Sequence, residues 1–167
     1  CGWSLAARNN CPREEFPVKP MTMGGVPFQL TDPLKNGNRG CLVLMTNETA
    51  EIVFDAPVKC ARLNFLGAHS GAWTMKRCNL AIGFGDDRGE VVCRRGSEIG
   101  CCRWSDTPTN GRCAFTFPTQ QDATASVYRW TVTNPKPGEP VKKLTLKLDC
   151  DAGGAAVIAI TAETDEM

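Results

Sequence analysis

The stretch Val127-Tyr-Arg-Trp-Thr-Val-Thr-Asn-Pro-Lys-Pro-Gly-Glu-Pro-Val-Lys-Lys-Leu-Thr-Leu-Lys-Leu148 decides the fold. Its second half alternates strictly. Leu144, Leu146 and Leu148 fall on one side, and Lys143, Thr145 and Lys147 on the other. A period of two is the mark of a strand with one buried face. Its first half places Tyr128, Trp130 and Val132 together on one face, which reads as core. Arg129, Thr131 and Thr133 take the opposite face. Of the two aromatics and the arginine, Arg129 reads as the residue facing a ligand, a surface salt bridge being the other role open to it. Between the halves, Pro135 to Pro140 is turn chemistry.

The same period recurs upstream. Glu51-Ile-Val-Phe-Asp55 alternates until Ala56-Pro57 breaks it. Arg62 to Phe65 alternates again, and Leu80, Ile82 and Phe84 share a face. Asp86-Asp-Arg-Gly89 reads as a hairpin turn into Glu90 to Cys93. Phe115 and Phe117 share a face of another strand. Ala155 to Ile160 is apolar throughout and reads as buried on both sides. Turn clusters at Asp32-Pro33, Asn36-Gly-Asn38 and Asn110-Gly111 separate these runs. No sustained helical spacing is present. The pattern predicts an all-β fold, an antiparallel two-sheet β-sandwich. At 167 residues the chain reads as one domain, 1–167, with residues 1–20 lying as a loop over it.

A formal charge of +1 argues against nucleic acid as a partner. No stretch approaches the roughly 18 apolar residues of a membrane span. Ten cysteines suit an oxidising compartment better than the cytosol, so disulfides and an extracellular, periplasmic or cell-surface location are expected, with connectivity open. Adjacent Cys101 and Cys102 cannot share a face of an extended strand and are expected to serve different partners, unless one stays free and buried. No C-x-x-C pair accompanies the one histidine, His69, so no metal site and no cofactor are expected. Structural calcium suits extracellular sandwiches, but no loop has its spaced oxygen ligands; Asp32, Asp55 and Asp151 are scattered.

The inventory is poor for catalysis. There is no nucleophile-elbow motif, phosphate loop or dinucleotide fingerprint. Asp86-Asp87 reads as a solvated hairpin tip rather than a glycosidase pair. The chain is therefore read as no enzyme. It is better supplied for sugar binding, which uses flat aromatic faces and planar polar groups. Two of its four tryptophans fall in loop-like runs: Trp73 in His69-Ser-Gly-Ala-Trp73, and Trp104 in Arg103-Trp-Ser-Asp106. Ligand contact and packing are both open to them. The sequon Asn47-Glu-Thr49 is short enough to occur by chance.

Several segments, in order, resemble the bacterial galactose-binding-like β-sandwich modules, NPCBM-like, that are attached to secreted glycoside hydrolases. They are Gly2-Trp3, Gly24 to Pro33, Asn36-Gly37, Cys41 to Leu44, Leu63 to His69, Ala81 to Glu90, Trp104, Tyr128 to Thr131 with Asn134-Pro135, and Val157 to Thr161. The likeness runs from about Gly2 to Thr161. It departs at Gly83-Phe84, where the family's hairpin carries Tyr, at Ser105, where a second Trp is usual, and in its ten cysteines. Family members often begin with a further strand, so a cut or processed start is expected here. The resemblance implies a jelly roll of galactose-binding-domain type. It further implies a non-catalytic carbohydrate-binding module beside a glycoside hydrolase domain, the alternative being a structural module that packs there without binding sugar. The expected ligand site combines His69, Trp73, Trp104 and Asp106 with hydrogen bonds from Arg129 and Asn134.

Overall fold

Strand β10, Val141–Cys150, buries Leu144, Leu146 and Leu148 and turns its lysines outward, as its alternation requires. The computed structural model describes residues 19–32, 35, 40–70, 76–85, 89–102, 108–118 and 124–164. The expected loop at 1–20 lies almost wholly outside them. The strands before β10 are β1 (Met21–Met23), β2 (Val26–Phe28), β3 (Leu42–Met45), β4 (Thr49–Val58), β5 (Arg62–Ser70), β6 (Cys78–Phe84), β7 (Glu90–Arg94), β8 (Arg112–Pro118) and β9 (Thr124–Thr133). β11, Gly154–Glu163, follows β10.

These strands form a four-stranded sheet in the order β4-β10-β6-β7 and a five-stranded sheet in the order β3-β11-β5-β9-β8; β1 and β2 pair alone. All the strand pairings are antiparallel. The two larger sheets pack face to face, so the all-β sandwich read from the alternation is the observed architecture. Leu80, Ile82, Phe84, Leu144, Leu146 and Leu148 of one sheet meet Leu63, Phe65, Trp130, Val132 and Val157 of the other. Apolar contact between the inner faces is what joins the sheets.

A second, smaller core lies on the outer face of the five-stranded sheet. Met23, Val26, Phe28 and Leu30 cover Leu66, Ala68, Val127, Ala156 and Ile158 there. This explains why β11 is apolar on both sides: Ala155 and Val157 face the first core, Ala156 and Ile158 the second. The covering hairpin turns on Gly24 and Gly25, at φ of 58° and 81°, a left-handed pair that suits a two-residue hairpin loop. Strands of three residues are too short to show a period, so the alternation does not announce this hairpin.

Ala56-Pro57 does not end its strand. β4 continues to Val58, with a register shift where it passes from Val53 opposite Lys143 to Val58 opposite Val141. β4 is an edge strand, where a proline without an N–H is tolerated, and the shift absorbs the irregularity. The hairpin expected around Asp86 is present as β6 paired with β7, Ile82 opposite Val91; Asp86, Asp87 and Arg88 themselves lie outside the described residues.

No disulfide joins any two of the eight described cysteines; Cys1 and Cys11 lie outside the described residues. Six of the eight are buried. Burial pushes the Cys93 thiol up to about 12, with the Glu98 carboxylate adding to the shift and the Trp130 indole opposing it. Burial also raises Cys60, against a hydrogen bond from Asn134. Such thiols stay protonated and behave as small apolar side chains.

Candidate functional site

β5 and β9 pair from Arg62 opposite Thr133 as far as Gly67 opposite Tyr128. Beyond that point the short segment Gly100 to Cys102 enters between them. The His69 N–H donates to the Gly100 carbonyl (3.1 Å), and the Cys102 N–H donates to the His69 carbonyl (3.0 Å). On the other side the Ser126 N–H donates to the Cys102 carbonyl (2.8 Å). His69 and Cys101 thus form a parallel bridge. Tyr128 locks the segment in place. Its hydroxyl donates to the Cys101 carbonyl (3.2 Å), and a Cβ on Gly100 would stand 2.5 Å from its ring. Only glycine lets the backbone come this close to the phenol.

This wedge brings two chain stems together. Residues 71–75, which include Trp73, leave from Ser70 at the end of β5. Residues 103–107, which include Trp104 and Asp106, leave from Cys102. Trp73, Trp104 and Asp106 lie outside the described residues. The stems that carry them are hydrogen-bonded neighbours at one end of the five-stranded sheet.

The wedge is itself anchored from behind. The Glu98 carboxylate accepts from the Arg94 N–H (2.8 Å), the Ser97 hydroxyl (2.7 Å) and the Asn110 amide (3.3 Å), which closes the turn that precedes Gly100. Burial would raise the Glu98 pKa, but these hydrogen bonds to the charged form outweigh it and hold the carboxyl below its ordinary value. A depressed carboxylate contributes stability above its unfolded pKa and loses it as pH falls through the folded value. Glu98→Gln is therefore expected to melt below the wild type at pH 7. The gap should begin to shrink below about pH 4.3, where the unfolded carboxylate protonates, and close only once pH has fallen through the lower folded value. Thermal melts of both proteins at pH 7 and pH 3 check this, and a gap unchanged at pH 3 would exclude the charge as its cause.

The other expected site residues are placed as follows. The His69 side chain is buried, and its backbone makes the bridge just described. Arg129 is half-buried on the outer face of β9, opposite Leu66. Its guanidinium lies under the β1–β2 turn, 3.0 Å from where a Cβ on Gly24 would be, and donates to the Asn64 side-chain Oδ1 (3.4 Å). Asn64 also accepts from the Thr131 hydroxyl (2.8 Å). Asn134 is buried at the far end of the sheet. Its amide donates to the Cys60 carbonyl (2.9 Å), its side-chain oxygen accepts from the Lys136 N–H (3.0 Å), and its own N–H donates to the Ala61 carbonyl (2.8 Å). It is separated from the Ser70 stem by the length of β5, roughly 25 Å at about 3.3 Å per residue.

The structure therefore groups the stems of Trp73, Trp104 and Asp106 with His69 and leaves Asn134 at the opposite end. No group of three or more metal-ligating side chains is present among the described residues. No protein-family model, curated protein or solved structure matches this chain. What the molecule offers to a ligand is thus read from its own stems. Sequence reasoning missed Gly100 to Cys102 and the Tyr128 hydroxyl. Both are positioning elements, and the only signal for them was a glycine ahead of two cysteines.

Proposed function

We propose that this chain is a non-catalytic carbohydrate-binding module of an exported protein, a jelly roll of galactose-binding-domain type that holds a neighbouring glycoside hydrolase domain to a polysaccharide or glycan. One observation carries the reading. The stems of the two segments that contain Trp73 and Trp104 are bonded side by side, through His69 and Cys102, at one end of a sandwich. Two indoles and the Asp106 carboxylate borne on adjacent stems are the residue types that stack on sugar C–H faces and bond to hydroxyl pairs. The ordered resemblance of the sequence to such modules points the same way.

A glycan array followed by tryptophan fluorescence titration tests the proposal. A saturable sugar with a shifted emission spectrum is expected. Trp73→Ala and Trp104→Ala should each weaken it by about five- to 150-fold, taking for the sugar the roughly 1–3 kcal/mol that a base stacked on an aromatic side chain carries. Binding that survives both substitutions moves the site elsewhere, and an array with no ligand for the folded protein rejects the module. That second outcome favours a structural module packed beside another domain. For that reading the sandwich offers an open cleft of about 360 Å³ of mixed polar and apolar lining, between Gln29, Thr31, Leu42, Ile52, Phe54 and Ile160. It lies where β3 covers only Gly154 to Val157 of β11.

A further inference from the structure

Cys78 opens β6 and Cys150 closes β10, and the two stand directly opposite each other in the ladder. Both are buried, at 1% and 2% exposure. Hydrogen bonding fixes which kind of pair they form. The Asp151 N–H donates to the Arg77 carbonyl (3.1 Å), and an even number of residues further along β6 the Gly85 N–H donates to the Lys143 carbonyl (2.9 Å). Odd-numbered residues of β6 thus occupy hydrogen-bonded pairs, and Cys78 with Cys150 occupies a non-hydrogen-bonded one. Residues in such pairs have Cα atoms about 4.5 Å apart and side chains in contact on one face. That spacing lies inside the window of about 4.4–6.8 Å over which a disulfide closes without moving the backbone. No other two cysteines of the described strands are paired in register.

We propose that Cys78 and Cys150 are a cross-strand disulfide site, closed by thiol–disulfide exchange with a small-molecule disulfide. One thiolate attacks a sulfur of that disulfide and releases one small thiol. The second cysteine then attacks the mixed disulfide and releases the other. Two protein thiols are oxidised, one small disulfide is reduced to two thiols, and the two protein protons pass to them. The present dithiol is a chain of donors: the Cys150 thiol donates to the Ala152 carbonyl (2.9 Å), and Cys78 lies in hydrogen-bonding contact with Cys150. Burial, and then the neighbouring Cys150, raise the Cys78 thiol well above its ordinary value. The exchange therefore belongs to folding, before the pair is covered.

The surroundings favour closure. Asp151 accepts from the Lys76 and Arg77 N–H groups (3.3 and 2.9 Å) and pairs with the Arg77 guanidinium (3.5 Å), which fastens the turn after β10 to the start of β6. The bond would make that fastening covalent at the strand that follows Trp73. This inference stands on the strand register and does not rest on the sugar-binding reading.

The test is a disulfide map. The full chain is reduced, unfolded, and refolded in a mixture of reduced and oxidised glutathione. It is then quenched with an alkylating agent and digested. A peptide pair joining Cys78 to Cys150, lighter by two hydrogens than the separate peptides, is the expected product. Reduction should lower the thermal midpoint by roughly 5–15 °C. The same reductant should leave the Cys78→Ala/Cys150→Ala double variant unmoved. If refolding fails, folded reduced protein dialysed against the same mixture in mild denaturant is mapped instead. Recovery of both cysteines alkylated, or of either joined to another cysteine, overturns the assignment.

Discussion

Trp130→Ala is expected to lower the unfolding free energy by about 3–5 kcal/mol, the range for emptying a large aromatic site in a core. Trp130 is buried between the sheets, its ring stacked on Phe65 with centroids 5.5 Å apart and planes 11° from parallel. Its rim reaches the Gly67 backbone, where a Cβ would stand 3.2 Å from it. Truncation therefore strips contacts from both β5 and the facing sheet, and close-packed neighbours relax only in part. The indole N–H has no conventional acceptor, and the Cys93 sulfur is the weak one that faces it. Trp130→Phe should consequently keep much of the stability, since it fills part of the space and removes an unsatisfied buried donor. Urea unfolding of the three proteins measures both differences. A cost below about 1 kcal/mol for the alanine variant would mean that this aromatic is not a core residue.

In the stretch from Val127 to Leu148, Trp130 and Val132 join the core between the sheets as their alternation predicts, but Tyr128, expected on the same face, joins the second core beside Cys102. The sandwich was legible there because alternation is a local signal, and Leu144, Leu146 and Leu148 obey it without exception. β11 was legible too, although its second cover was not. A hairpin of two three-residue strands has too few positions to show a period, so nothing announced that Met23, Val26 and Phe28 lie over Ala156 and Ile158. Arg129 is a consequence of that gap. Its alternation placed it correctly on the outer face, but the face is roofed by the Gly24 turn, and the guanidinium meets Asn64 beneath it. The candidate site divides in the same way. Trp73 and Trp104 read as loop residues from the glycines and polar residues around them, and both lie outside the described residues. The adjacency of their stems depends on bonds between His69 and the Gly100 to Cys102 segment, about thirty residues away in sequence. Such long-range pairing leaves no trace in spacing. Asn134 is expected from the resemblance to hydrogen-bond a ligand, and its burial against Cys60 follows only from the start of β5 lying beside the end of β9.

Gly67→Ala should be the most damaging single-methyl addition in the described chain, costing roughly 3 kcal/mol or more. Gly67 sits in β5 between Val157 of β11 and Tyr128 of β9. A Cβ there would lie 2.1 Å from the Ala156 carbonyl oxygen and 3.1 Å from its carbon. The obstacle is backbone, so no rotamer change relieves it. β11 shifts register between Val157 and Ala159 next to this point, and the carbonyl is set by that bulge. Gly83→Ala is the matched comparison. Its new methyl would meet the Thr145 Cβ at 3.6 Å, an ordinary contact, and replacing a strand glycine there should be neutral or stabilising by about 0.5–1 kcal/mol. Chemical denaturation of the pair separates a steric cause from a general sensitivity to alanine. The contrast reaches the site as well, because Gly67 is the last β5 residue paired with β9 before the Gly100 to Cys102 wedge begins. Collision at Gly67 must push β5 and β11 apart just where Ser70 and Cys102 are held together. A Gly67→Ala protein as stable as wild type would show that the bulge yields freely. The steric cause would then be rejected, while the bonds of His69 to Gly100 and Cys102 would still hold the two tryptophan stems together.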